Sequence, residues 1–354
     1  MKTLTELAQE IERRRDAKKD FVVDTRSMYL DTTGQLVFGD QNIDVNDTAH
    51  QQVAAHVGIP KPYYDRMRDE APDLLANNVN RWFKQYPANR MVRTLDNKAR
   101  AFLSDRYRPL ENEQLAEAVL PVLMDMDLMP IRCEITDRRL YMKFVDKKLQ
   151  RELPVGQVLG IGHNFLKTTA LCPAIVISNS EVGDGALSVL SSVFDELCTN
   201  LSVFNDRSVR KSHLGKKHEI TEGFEALLTD ETRKLSDDAL FAQIRDVVKG
   251  TFEEAKFAAL CDKIVGASQE KIVGDPVKVI NLTAKKFSLT DMVEKTMMKH
   301  LIERGELSKW GVANAMTRAA QDVEDVDLQN DMERFGGQII NLPNAEWKEL
   351  AIAA

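Results

Sequence analysis

Aromatic residues make up only 6% of this chain, which argues against a surface built from many stacked rings. Glycine and proline are also scarce, 17 and 11 in 354 residues, so collagen-like and low-complexity classes are excluded and a folded, globular chain is expected. No stretch approaches the roughly 18 consecutive apolar residues of a bilayer-spanning helix. The opening, Met1-Lys-Thr-Leu-Thr-Glu-Leu-Ala-Gln-Glu-Ile-Glu-Arg-Arg-Arg15, is amphipathic and charged and lacks the apolar run of a signal peptide. A soluble, cytoplasmic protein is the expectation, with no membrane partner.

Cys133, Cys172, Cys198 and Cys261 are scattered without C-x-x-C spacing, so free and mostly buried thiols are expected in place of a disulfide framework. His213 and His218 stand at a zinc-type separation, but Cys198 is the sole cysteine near them, so no metal is expected there. Gly156 to Gly162 lacks the Lys-Ser/Thr ending of a phosphate loop. No complete catalytic motif occurs, and no cofactor is called for. An enzyme is less expected than a binding protein.

The chain is long enough for two or three domains. Its net charge of −7 is unevenly spread: about −4 over residues 1–80, about +5 over 81–218 and about −8 over the remainder. The fold class expected is α+β, a strand-rich mixed central domain flanked by N-terminal helices and a helical C-terminal region. Three regions follow: an N-terminal hairpin and helices (1–88), a basic α+β core (89–218), and an acidic, mostly helical part (219–354).

In the first region, strands around a Gly34 turn precede helices over residues 48–57, 63–70 and 72–83. Tyr63, Tyr64, Trp82 and Tyr86 are expected to pack those helices together and not to stack on bases. Hairpins are predicted at 90–104 and 131–145, separated by a helix at 111–126, with further strands at 174–178 and 186–193. Amphipathic periods cover 220–266 and 290–335. Residues 277–282 read as a strand or loop, Gly336-Gly337 as a helix stop, and 338–342 as a strand.

Two basic groups stand out. Ser104-Asp-Arg-Tyr-Arg-Pro-Leu110 follows a predicted strand, whose alternation would put Arg106 and Arg108 on one face and Tyr107 on the other. Such a pair of guanidinium groups grips phosphate or carboxylate, or it bridges to acidic neighbours on the helix that starts near Glu111. The second group, Arg207, Arg210, Lys211, Lys216 and Lys217 with His213 among them, contains Gly215 and reads as a loop suited to phosphate contact. A solvated connector is its other reading. In Asn179-Ser-Glu-Val-Gly-Asp-Gly185, Glu181 and Asp184 are either a carboxylate pair able to hold magnesium or merely a hairpin tip.

These motifs, with Cys198-Thr-Asn200, Arg210-Lys-Ser-His-Leu-Gly215 and Trp310-Gly-Val-Ala-Asn-Ala-Met-Thr-Arg-Ala-Ala320, resemble a phage- and plasmid-encoded family of unknown function that includes the YfjQ/YubP-type proteins. The resemblance runs from about residue 22 to residue 347, and implies a bacterial host cell and a gene neighbourhood of DNA metabolism or defence evasion. The matching polar positions are Arg106, Tyr107, Arg108, Asn179, Glu181, Cys198, Asn200, Arg210 and His213. Where family members often carry Gly after Cys-x-Asn, this chain has Leu201.

The leading expectation is a nucleic-acid-binding protein of phage or plasmid DNA replication or recombination, in the form of single-strand binding or annealing. Its contacts would be Arg106, Tyr107, Arg108, Arg207, Arg210, Lys211, His213, Lys216 and Lys217, with single-stranded DNA as the partner. A second reading is an anti-defence protein whose acidic helical third binds a host factor. A third is a metal-dependent nuclease using Glu181 and Asp184. The sequence leaves the oligomeric state open.

Overall fold

The chain begins with a capping box: Thr3 Oγ1 accepts from the Glu6 amide (3.2 Å) while the Glu6 carboxylate accepts from the Thr3 amide (2.7 Å). It starts α1 (Leu4–Ala17), whose Leu7 and Ile11, four residues apart, form its buried stripe. The structure is a computed structural model and describes residues 3–160, 163–196, 200–211 and 230–352.

A first sheet contains β1 (Lys19–Asp24), β2 (Met28–Leu30), β3 (Leu36–Phe38), β4 (Gln41–Val45), β5 (Asn89–Leu95) and β6 (Lys98–Ser104), in the order β1-β5-β6-β4-β3-β2. Between β4 and β5 run α2 (Asp47–Val57), α3 (Lys61–Glu70) and α4 (Pro72–Gln85). A parallel neighbour requires such a crossover, and β4 pairs with β6 in parallel. Asp96 and Asn97, with φ of 49° and 60°, close the β5–β6 hairpin in the conformation of a primed turn. Val53, Tyr64, Val79 and Phe83 of the helices share a core with Leu36, Val92 and Phe102 of the sheet.

The first sheet continues past residue 88, where a boundary was expected. β5 and β6 lie in its middle, and Val92, Ala99 and Phe102 belong to its core. The boundary expected at 218 lies outside the described residues.

After α5 (Asn112–Asp125) comes a second sheet of β7 (Met129–Ile135), β8 (Leu140–Val145), β9 (Arg151–Gly160), β10 (His163–Asn179), β11 (Leu187–Asp195) and β12 (Asn200–Lys211). Its order is β12-β11-β10-β8-β7, all antiparallel, with β9 paired to the first half of β10. Strand alternation gives it two unlike faces. Leu140, Met142 and Phe144 of β8 share a core with α1, α5 and α6 (Asp230–Thr251). Tyr141 and Lys143 face the opposite way and meet Asp327 and Glu333.

That opposite side belongs to α7 (Glu254–Gln269), α8 (Pro276–Lys286), α9 (Asp291–Arg304), α10 (Lys309–Ala319), α11 (Val326–Ile340) and α12 (Asn344–Ile352). Their core surrounds Trp310 and includes Leu171, Val193 and Phe204 of the sheet. The α+β expectation holds. No helix among the described residues is long and apolar enough to cross a membrane.

Residues 277–282 are helical, contrary to expectation, because the Asp275 carboxylate accepts from the Val277 amide (2.9 Å) and Pro276 supplies the first position of α8. Gly336-Gly337 does not stop a helix, and no strand follows it, since α11 runs through to Ile340. Gly336 is there for close approach: a Cβ would lie 2.3 Å from Thr317 Cγ2 and 3.2 Å from the Ala313 carbonyl oxygen of α10.

Candidate nucleic-acid interface

β6 gives way at Ser104 to a turn in which the Tyr107 amide donates to the Ser104 carbonyl (2.9 Å) and the Arg106 amide to Ser104 Oγ (3.2 Å). Arg106 and Arg108 are therefore presented by a turn and not by a strand. Both side chains are exposed and, among the described residues, make no ion pair. The bridge from arginine to the Glu111 helix that was open to them is made by other cations.

Tyr107 is not a stacking residue. It is 5% exposed, its hydroxyl donating to the Ser180 carbonyl (3.2 Å) and accepting from the Gly183 amide (3.1 Å). Burial pushes the phenol's pKa up. Gly183 has φ of 76°, and a Cβ there would come within 2.6 Å of Leu103 Cδ2, so the Val-Gly step lets the two motifs close on each other. Asn179 extends the contact by donating to the Leu110 carbonyl (2.7 Å) and to Asn112 Oδ1 (2.9 Å).

Behind that turn lies a buried charge network. Arg93, fully buried, donates to Asp20 (3.0 Å), Glu111 (2.6 Å) and the Glu181 carbonyl (2.8 Å). Arg100 reaches Glu181 Oε2 at 2.8 Å, the Asn112 amide reaches its Oε1 at 2.7 Å, and Lys18 spans Glu111 and Glu113. Burial opposes the Glu181 charge, but Arg100 and the Asn112 amide outweigh it and hold the carboxyl at about 2. For Glu111 burial prevails, with the neighbouring Glu181 charge, and raises its pKa.

Glu181 and Asp184, read together in the sequence as a carboxylate pair, are engaged by different partners. Glu181 is taken by Arg100, while Asp184 is ion-paired with Arg138 and its carbonyl oxygen accepts from Arg139 Nε (2.6 Å). The carboxylates that do converge are Glu111, Glu113 and Glu181, with candidate ligand oxygens within 4.8 Å of one another. Lys18, Arg93 and Arg100 already occupy those oxygens.

The second basic group divides. Arg207, Arg210 and Lys211 belong to the backbone of β12, not to a loop, and register sets Arg210 opposite Ser188 and Lys211 opposite Leu187. His213, Lys216 and Lys217 lie outside the described residues, as does Cys198; Cys133, Cys172 and Cys261 are free and buried. Leu187 directly follows the 180–186 turn that Tyr107 grips, and the β7–β8 turn with Arg138 and Arg139 meets that same turn. β12 stands two strands from β10, roughly 10 Å away. The Arg106–Arg108 turn and the end of β12 thus adjoin one end of the second sheet, although about 100 residues of chain separate them.

The other motif positions form a second clasp. Asn200 Nδ2 donates to Thr317 Oγ1 (2.6 Å), and buried Leu201, in extended strand, needs no glycine turn. Nearby Asp195 accepts from Thr169, Arg304 (3.2 Å) and Asn314 (3.4 Å). Sequence reasoning missed this group and also the buried Lys143–Glu333 pair (2.6 Å) and the Tyr141–Asp327 bond (2.7 Å) that seat α11 on the sheet. The one signal for them was a lysine alternating with apolar residues within Leu140–Val145.

Tyr64 packs among the helices as expected, at 0% exposed, whereas Tyr63 and Tyr86 do not, at 50% and 64%. No family model, curated protein or solved structure matches the chain.

Proposed function

We propose that the protein binds nucleic acid, single-stranded DNA foremost, through the basic end of the second sheet, in the replication or recombination of a phage or plasmid. The observation that carries this reading is the placement of two basic groups, distant in sequence, at one end of the second sheet. Arg106 and Arg108 project from a turn anchored by Tyr107 to residues 180 and 183, and Arg210 and Lys211 end the strand that pairs with the chain leaving that turn. Nearby acids are largely answered within the fold, Glu181 by Arg100 and Asp184 by Arg138. Among the described residues, exposed Asp105 beside Arg106 and exposed Asp137 in the β7–β8 turn make no ion pair. Backbone pairing of β12 along β11 and the Tyr107 anchor fix the chain segments that carry these residues, which suits positioning contacts to a phosphate backbone.

Fluorescence anisotropy of labelled single- and double-stranded DNA at low and moderate salt, with and without magnesium, tests the reading. Salt-sensitive binding that favours single strands, with the label intact in magnesium, supports it. Absence of binding at low salt would refute it and bring forward the acidic helices as a protein-binding surface.

A further inference from the structure

Half-buried Trp82 of α4 and exposed Tyr86, the residue that caps its C-terminus, have no role in the fold described so far. Trp82 and Tyr86, one helical turn apart, stack with ring centroids 5.6 Å apart and planes 11° from parallel. Tyr86 is nevertheless 64% exposed, so the face turned away from Trp82 is open. Exposed Arg81 and Lys84 lie on the same last turn of α4, on other sides of the helix from the pair, and, among the described residues, make no ion pair. Arg26, on the segment joined to residue 88 by the Thr25 amide, is balanced by Asp24. Uncovered aromatic stacking beside uncompensated positive charge is the pairing that single-stranded nucleic acid recognises, bases on the rings and phosphates on the cations. A duplex, with its bases already stacked, offers nothing to the ring.

The position agrees. Tyr86 precedes β5, and β5 begins where β6 ends, Arg90 lying opposite Ser104. Ser104 leads straight into the Arg106–Arg108 turn. Chain geometry limits the separation of Tyr86 from Arg106 to at most roughly 27 Å, within the span of a few nucleotides.

We infer that the Trp82–Tyr86 stack, with Arg81 and Lys84, is a base-stacking subsite for single-stranded nucleic acid, on a path continuing from the basic turn. The inference rests on the nucleic-acid reading above and adds the strand form and a second contact region to it.

Tryptophan fluorescence tests it. Of the three tryptophans, Trp310 and Trp347 are buried at 1% and 2% exposure, while Trp82 is only partly covered, so quenching by a short oligothymidylate reports on Trp82. The full chain is titrated as wild type, Trp82→Phe and Tyr86→Ala, with circular dichroism confirming the fold of each variant. Quenching should be saturable in the wild type and absent in Trp82→Phe. Tyr86→Ala should bind the single strand roughly 5- to 100-fold more weakly with its salt slope unchanged, and duplex affinity should not move. If the wild type binds by anisotropy without quenching, and Tyr86→Ala binds as tightly, the subsite is refuted while the basic-end reading stands. If the wild type binds no DNA, both fall together.

Discussion

The Tyr107 hydroxyl donates to the carbonyl oxygen of Ser180 at 3.2 Å, joining the turn that leaves the first sheet to the turn between two strands of the second. Because Tyr107 points inward, Arg106 and Arg108 on either side of it point out. One hydrogen-bonded phenol thus fixes the orientation of the cations assigned to phosphate contact.

Tyr107→Phe removes that donor and also the acceptor of the Gly183 amide, leaving buried groups unpaired. A loss of about 1–3 kcal/mol in urea unfolding is expected. Arg106→Ala, at an exposed position, should stay within about 0.5 kcal/mol of wild type. Equal effects from the two changes would contradict the division into anchor and contact.

Acidification should weaken the first unit before the carboxylates titrate. Burial lowers His50 and His56 to about 4 from an ordinary value of 6.5, so between those values the unfolded chain binds more protons than the folded one. Stability is therefore lost as pH falls from 6.5 towards 4. His56 contacts Phe83 and Phe102, so His56→Leu keeps an apolar group there and should flatten the urea midpoint against pH in that window. A variant profile as steep as the wild type's would exclude His56 as a source.

Gly336→Ala would raise intrinsic helix propensity by roughly 1 kcal/mol, yet the added methyl meets Thr317 at 2.3 Å. Overpacking should win, with a net loss of about 1–3 kcal/mol in thermal unfolding. Combining it with Thr317→Ala should not restore full stability, because Thr317 accepts the Asn200 bond. A stabilised Gly336→Ala would show that α10 and α11 do not approach so closely.

The helices of the first unit were legible because their ends are written locally: Asn46 caps α2, Gly58 closes it in the left-handed region, and Pro72 begins α4. The β5–β6 hairpin carried its turn in Asp96-Asn97. β12 did not read as a strand, since its basic residues and breaks in alternation suggest a loop; pairing along β11 makes it extended, which no local window contains. α8 was misread despite Asp275-Pro276, a start signal that its short apolar run obscured. At the site, Arg106 and Arg108 were visible as a basic pair, but the partners of Glu181 were not. Arg93 and Arg100 come from a hairpin more than 80 residues away, so a carboxylate that looked available is already neutralised.

Phosphate contact at the basic end of the second sheet is read out by the salt dependence of single-strand affinity. The comparison is between wild type, Arg106→Ala/Arg108→Ala and Arg210→Ala/Lys211→Ala. Each lost phosphate contact should reduce the slope of log affinity against log salt by about 0.7, so each double variant should bind more weakly with a slope shallower by about 1.4. Slopes and affinities that superimpose on those of the wild type would mean that these residues do not contact phosphate.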